Sequence, residues 1–192
     1  METQYDNLDI FRRSVTTFKE TSKDTDSGEA KYMTQSEIEV VNFDEVKNRY
    51  IRDMKLSITP CSNDALYISA TGEYCFIEFK NGVMKKEKIY NVYNKIYDSL
   101  LIFNDIINQN ISFCRENVNF ILVYNESKNP NENEEILINP KVAIGKHFSS
   151  KAKTKFVRFD LNRFKKIYFK EVYTYTEKEF EEEFLAKLPC FF

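Results

Sequence analysis

Glycine is scarce in this chain of 192 residues. The four are Gly28, Gly72, Gly82 and Gly145, and no two lie within nine residues of each other. A phosphate-cradling loop needs clustered glycines so that backbone N–H groups can turn onto the ligand, which excludes a P-loop and a dinucleotide-binding turn. The single histidine, His147, rules out a zinc site built on several imidazoles and leaves a Ser-His-Asp triad only one base to use. The four cysteines, Cys61, Cys75, Cys114 and Cys190, are widely spaced and include no C-x-x-C pair. They read as reduced thiols of a cytoplasmic protein rather than as a disulfide framework. Uninterrupted apolar runs such as Leu100–Phe103 and Phe120–Val123 are only a few residues long, whereas a membrane span needs about 20. The N-terminus has no basic stretch followed by an apolar one, so neither a signal peptide nor a membrane partner is expected.

What is present begins with charge. The net charge is −2, which favours no partner, but its distribution is uneven. Ten basic residues and one acid, Asp160, fall between Lys141 and Lys170. Such a segment on a globally acidic chain predicts a local basic surface suited to phosphates; a solvated charged face is the plainer alternative. Lys151, Lys153 and Lys155 alternate, so on a strand they would share one face.

The length suits one domain, residues 1–192. Residues 16–31 carry only Phe18 and Ala30 as apolar side chains and read as a loose loop or tail. Ser36 with Glu39 has the form of a capping box, and Ile38, Val41, Val46 and Tyr50 follow at helical spacing, predicting a helix over 36–52. Two β-rich stretches, 65–70 and 74–80, flank a Thr71-Gly72-Glu73 turn and predict a hairpin. Ile89, Val92, Ile96, Leu100, Phe103 and Ile107 recur at three- and four-residue steps, predicting a helix over 88–108 with one apolar stripe. Residues 118–124 read as a strand buried on both faces, 125–139 as a loop, 161–167 as a short helix and 168–174 as a strand. Thr176 with Glu179 opens a last helix running to about Leu188. That order predicts an α/β or α+β domain with a central mixed sheet and a β-hairpin flanked by helices.

The hairpin carries the residues with chemistry. Asp64 stands at the start of its first strand, and Glu78 and Lys80 at the end of the second. Residues two apart on a strand project to one face, so Glu78 and Lys80 point together. Strand pairing around Gly72 brings Asp64 to the same end. Two carboxylates beside an ammonium suit a hard divalent cation whose shell is completed by water and phosphate oxygens. A surface ion pair is the plainer alternative.

In this arrangement the sequence resembles the PD-(D/E)XK nuclease superfamily, the restriction-endonuclease-like proteins. The match is Asp64 followed by Glu78-Phe79-Lys80, within a helix–hairpin–helix–strand order over residues 36–125. Five [D/E]-x-K tripeptides occur, but only the one at Glu78 ends an apolar strand, follows a hairpin partner with an acid at its mouth and precedes a long helix. Two features depart from the family pattern. Asn63 stands where proline is common, and the helix over 88–108 contains no glutamine, leaving Tyr93, Asn94, Lys95 and Tyr97 as its polar candidates.

The resemblance implies a restriction-endonuclease-like core and Mg2+- or Mn2+-dependent hydrolysis of phosphodiester bonds in DNA or RNA. Asp64 and Glu78 would ligate metal, Lys80 would assist the attacking water, and Glu39 or Glu45 would supply a further acid. The basic segment, 141–170, would hold the nucleic-acid backbone through Lys146, Lys151, Lys153, Lys155 and Arg158. Two alternatives stand beside this reading. One is a catalytically inactive nuclease-like module that binds nucleic acid or protein; the other is an unrelated α+β interaction protein.

Overall fold

The computed structural model describes residues 8–25, 28, 30–130 and 156–188. Along the chain lie α1 (Asp9–Arg12), β1 (Val15–Thr17), α2 (Phe18–Thr21), β2 (Lys23–Asp24), β3 (Lys31–Tyr32), β4 (Glu39–Asn42), α3 (Phe43–Met54), β5 (Ala65–Ile68), β6 (Tyr74–Lys80), α4 (Lys86–Ile106), α5 (Ile111–Asn117), β7 (Val118–Tyr124), β8 (Val172–Thr176) and α6 (Glu177–Glu179). Six strands form one mixed sheet in the order β1-β4-β5-β6-β7-β8, antiparallel from β1 to β6 and parallel from β6 to β8. Helices flank this sheet, and the class is mixed α/β. No helix among the described residues is long and apolar enough to cross a membrane.

The hairpin is the centre of the molecule. Its turn places Gly72 at φ 84°, a left-handed conformation that glycine adopts without a Cβ clash. The register pairs Ala65 with Ile77 and Ile68 with Tyr74. Period-two alternation then sends β6 side chains into two separate cores. Tyr74 and Phe76 join Phe43, Val92, Ile96 and Phe103 beneath α3 and α4. Cys75, Ile77 and Phe79 join Phe18, Val123 and Phe180 on the opposite face. β7 divides in the same way, with Phe120 and Leu122 on one side and Ile121 and Val123 on the other. Both central strands are therefore buried on both faces, as the unbroken apolar run of β7 predicts. Burial pushes the Cys114 thiol up to about 12, and Cys61, Cys75 and Cys114 are all unpaired thiols.

Three expectations change. The helix expected over 36–52 begins only at Phe43, and Glu39–Asn42 is strand β4, paired with both β1 and β5. Val40 and Val41 are buried in opposite cores, a two-sided burial that a strand allows. The helix cap is Asn42, whose side chain accepts from Glu45 N at 3.1 Å, so Ser36 and Glu39 form no capping box. Residues 16–31 are not uniformly loose either. Thr17 ends edge strand β1 and caps α2, and Phe18 is fully buried, edge-on to Phe180 at 5.4 Å. One aromatic anchor ties this polar stretch to the core without any periodic pattern. Finally, the expected helix at 161–167 is a single 3-10 turn, Leu161–Phe164, and the following strand lies at 172–176.

Two further expectations correspond to elements, whereas α1 and α5 had no sequence signal and the 125–139 loop is described only to Pro130. α4 spans 86–106, and Thr176 and Glu179 make a reciprocal capping box. The helical segment opened by α6 continues through a π turn, Phe180–Phe184, and a 3-10 turn, Leu185–Lys187.

Phe76 joins hairpin to helices, with its ring edge-on to Phe43 at 4.9 Å and to Phe103 at 5.5 Å. Phe76→Ala leaves a cavity among rigid neighbours and should lower unfolding free energy by about 3–5 kcal/mol in urea denaturation. A loss below about 1 kcal/mol would mean that the two faces are not packed as described.

Candidate functional site

Glu78 and Lys80 project from β6 toward the face that α4 covers, while Phe79 turns the other way, edge-on to Phe180 at 5.6 Å. Asp64 reaches the same point because each of the four residues before β5, 61–64, is tied to the rest of the fold. Cys61 N donates to Asp98 Oδ2 at 2.7 Å, Ser62 Oγ donates to Asp44 Oδ1, and Asn63 N donates to Ser99 Oγ at 2.8 Å. The Asp64 carbonyl accepts from Phe43 N at 3.2 Å. Backbone pairing of the hairpin ends at Ala65 and Ile77. Just beyond it, Asp64 Oδ2 accepts from Phe79 N at 2.7 Å, so a side chain continues the ladder and is thereby oriented.

The three residues meet a fourth. Lys95, from α4, donates to Asp64 Oδ1 at 3.0 Å and to Glu78 Oε1 at 2.7 Å. Lys80 Nζ lies 2.5 Å from the same Glu78 oxygen. The Glu78 side chain is fully buried, and those of Asp64, Lys80 and Lys95 are 17–18 % exposed. Two carboxylates and two ammoniums leave the cluster formally neutral. Burial, reinforced by the nearby Asp64 charge, pushes Glu78 above the usual carboxylate range, and the two lysines oppose the shift. Burial alone would depress the Lys95 ammonium, but Glu78 and Asp64 outweigh it and hold the proton more tightly than in free lysine.

The cluster opens on a cleft of about 320 Å³ lined by Asp64, Lys80 and Asn81 and by three further lysines, Lys23, Lys88 and Lys128. These come from β2, α4 and the segment after β7. Asn81 braces the cleft, donating to Asp24 Oδ2 at 2.8 Å and accepting from Asn125 Nδ2 at 2.9 Å.

The structure thus brings together Asp64, Glu78 and Lys80 and adds Lys95. Glu39 and Glu45 are exposed, on β4 and in the first turn of α3, and neither takes part in the cluster. Arg158 is committed to the fold. Its guanidinium donates to the carbonyls of Asn129 and Pro130 at 2.8 and 3.1 Å and lies 4.8 Å from the Tyr124 ring centre. Further along the basic segment, Lys165 and Lys166 pair with Glu171, Lys170 with Glu73 and Arg163 with Asp160. Lys146, Lys151, Lys153 and Lys155 lie outside the described residues, as does His147. Lys23, Lys88 and Lys128 gave no sequence signal, because only the topology gathers them. Lys95 left one: it is among the four polar candidates of the helix over 88–108, three residues after Val92 and beside Ile96, on the flank of the buried stripe of α4.

Among the described residues, no group of three or more His, Cys, Asp or Glu side chains is placed to hold a metal ion. One or two carboxylates suffice for magnesium, which keeps several waters and takes phosphate oxygens from its substrate. Asp64 and Glu78 fit that lesser requirement, and Glu78 Oε2 is buried with no hydrogen-bond partner. No family model, curated protein or solved structure matches the chain.

Removing one member of a buried ion pair strands its partner. Lys95→Met should therefore lower stability by about 3–5 kcal/mol at neutral pH, read by urea unfolding. Adding Glu78→Gln in the same chain should recover much of the loss. The pH dependence has a definite sign. Without Lys95, Glu78 binds its proton still more readily in the folded than in the unfolded state, so stability falls as pH rises through that window. The deficit of Lys95→Met should accordingly shrink between about pH 7 and about pH 5. A deficit independent of both pH and Glu78 would contradict the coupling.

Proposed function

We propose that this chain is a metal-dependent phosphodiesterase acting on nucleic acid, built on a restriction-endonuclease-like core. The observation that carries the reading is the meeting of Asp64, Glu78 and Lys80 at the mouth of a lysine-lined cleft. Asp64 and Glu78, with the Phe79 carbonyl, would hold Mg2+ or Mn2+. Such an ion, when bound, polarises a phosphate and lowers the pKa of a water. Lys80 would orient that water or neutralise charge growing on the phosphate oxygens. Lys23, Lys88 and Lys128 would hold the backbone by charge, which positions a strand without reading its sequence. Lys146, Lys151, Lys153 and Lys155, outside the described residues, would be further phosphate contacts.

One observation favours a second reading. The Lys95 ammonium bridges the two carboxylates, as a resident cation of an inactive nucleic-acid-binding module would. An unrelated interaction protein, by contrast, gives no reason for the three residues to converge.

The test is cleavage of single- and double-stranded DNA and of RNA with magnesium, manganese or a chelator. Cleavage should require the metal. Lys80→Ala should lower the rate by about 10²–10³-fold, the cost of removing one group that stabilises transition-state charge. Asp64→Ala should abolish metal-dependent cleavage. Metal-independent binding of nucleic acid without cleavage, unchanged in Asp64→Ala, would favour the inactive module.

A further inference from the structure

Lys80 and Lys95 both reach Glu78, but only Lys95 also touches Asp64. Its ammonium therefore occupies a position in contact with both carboxylates, 2.7 Å from Glu78 Oε1 and 3.0 Å from Asp64 Oδ1. A magnesium ion shared by these oxygens would lie about 2.0–2.1 Å from each. Ammonium and metal cannot share that space, and two charges of one sign at such a distance repel strongly in a buried site.

We infer that Lys95 is a resident counter-cation: in the free protein it holds the Asp64–Glu78 pair together, and it withdraws when the pair takes a divalent ion. This rests on the metal-dependent reading above. Lys95 can make the move. Its stem has several rotatable bonds, and its side chain is 18 % exposed. What it needs after withdrawal is a new anion. Asp64 and Glu78 are the carboxylates it bonds here, and a divalent ion would claim both. A substrate phosphate in the adjoining cleft would supply the missing negative charge. Lys95 is thus a positioning residue that couples metal binding to phosphate binding. The coupling is reciprocal, since each ligand raises the affinity of the other by the same factor. In the absence of nucleic acid the site takes metal weakly.

Calorimetry of magnesium binding to the full chain tests this. Lys95→Met should bind magnesium about tenfold or more tighter than the wild type, because a competing charge is gone. Lys95→Arg, which keeps the charge, should bind no tighter than the wild type. A non-cleavable phosphorothioate oligonucleotide should raise the magnesium affinity of the wild type and have little effect on that of Lys95→Met. Equal affinity in wild type and Lys95→Met overturns the inference and leaves metal-dependent hydrolysis standing. No magnesium or manganese binding by either protein, with or without the oligonucleotide, overturns both.

Should Lys95→Met not fold, the wild type carries the test by itself. The Lys95 ammonium, held by two carboxylates, should give an NMR signal apart from those of exposed lysines, identified by its loss in Lys95→Arg. That signal should vanish at saturating magnesium, and its persistence there overturns the inference.

Discussion

A carboxylate without solvent at the end of a central strand constrains everything around it. The Glu78 side chain is fully buried, and an ion in such a place is costly unless opposite charge and hydrogen bonds meet it. Lys80 on the same strand supplies one ammonium and Lys95 on α4 the other. The second requires α4 to cross that face of the sheet, which the packing of Val92, Ile96 and Phe103 on Phe76 and Phe43 brings about. Asp64 then meets Lys95 because Cys61, Ser62 and Asn63 are each tied to α3 or α4. An apolar residue at 78 would satisfy the same core at lower cost. Four mutually dependent charges at this point are therefore weak evidence of a gain in stability.

Much of this was legible in the sequence wherever one short-range signal decided the outcome. The Gly72 turn, the apolar stripe of α4, the run from Val118 to Tyr124 and the Thr176 capping box each correspond to the element they predict. The convergence of Asp64, Glu78 and Lys80 followed from strand periodicity and the position of the turn. Failures came where a local pattern suited two structures. Ser36 to Val41 mimics a helix start, yet sheet pairing on both sides makes Glu39–Asn42 a strand. Phe18 was hidden by its polar neighbours, because a single buried ring has no period.

The site beyond the hairpin was less legible, for a physical reason. Lys95 and the lysines of the cleft belong to elements far apart in sequence, and only the crossing of α4 and the order of strands join them. Arg158 misled in the opposite direction. A basic residue in a basic segment looks like a surface contact, but here it spends its donors on two backbone carbonyls and its planar face on Tyr124. Charge density along a chain does not distinguish a phosphate contact from an internal brace.

The most direct measurement is diffraction from crystals soaked in manganese, recorded near the metal absorption edge. The expected result is one anomalous peak between the Asp64 and Glu78 carboxylates, with the Lys95 ammonium moved out of contact with both. A peak elsewhere, or no peak with Lys95 still bridging the pair, would contradict a metal-dependent site at the end of β6.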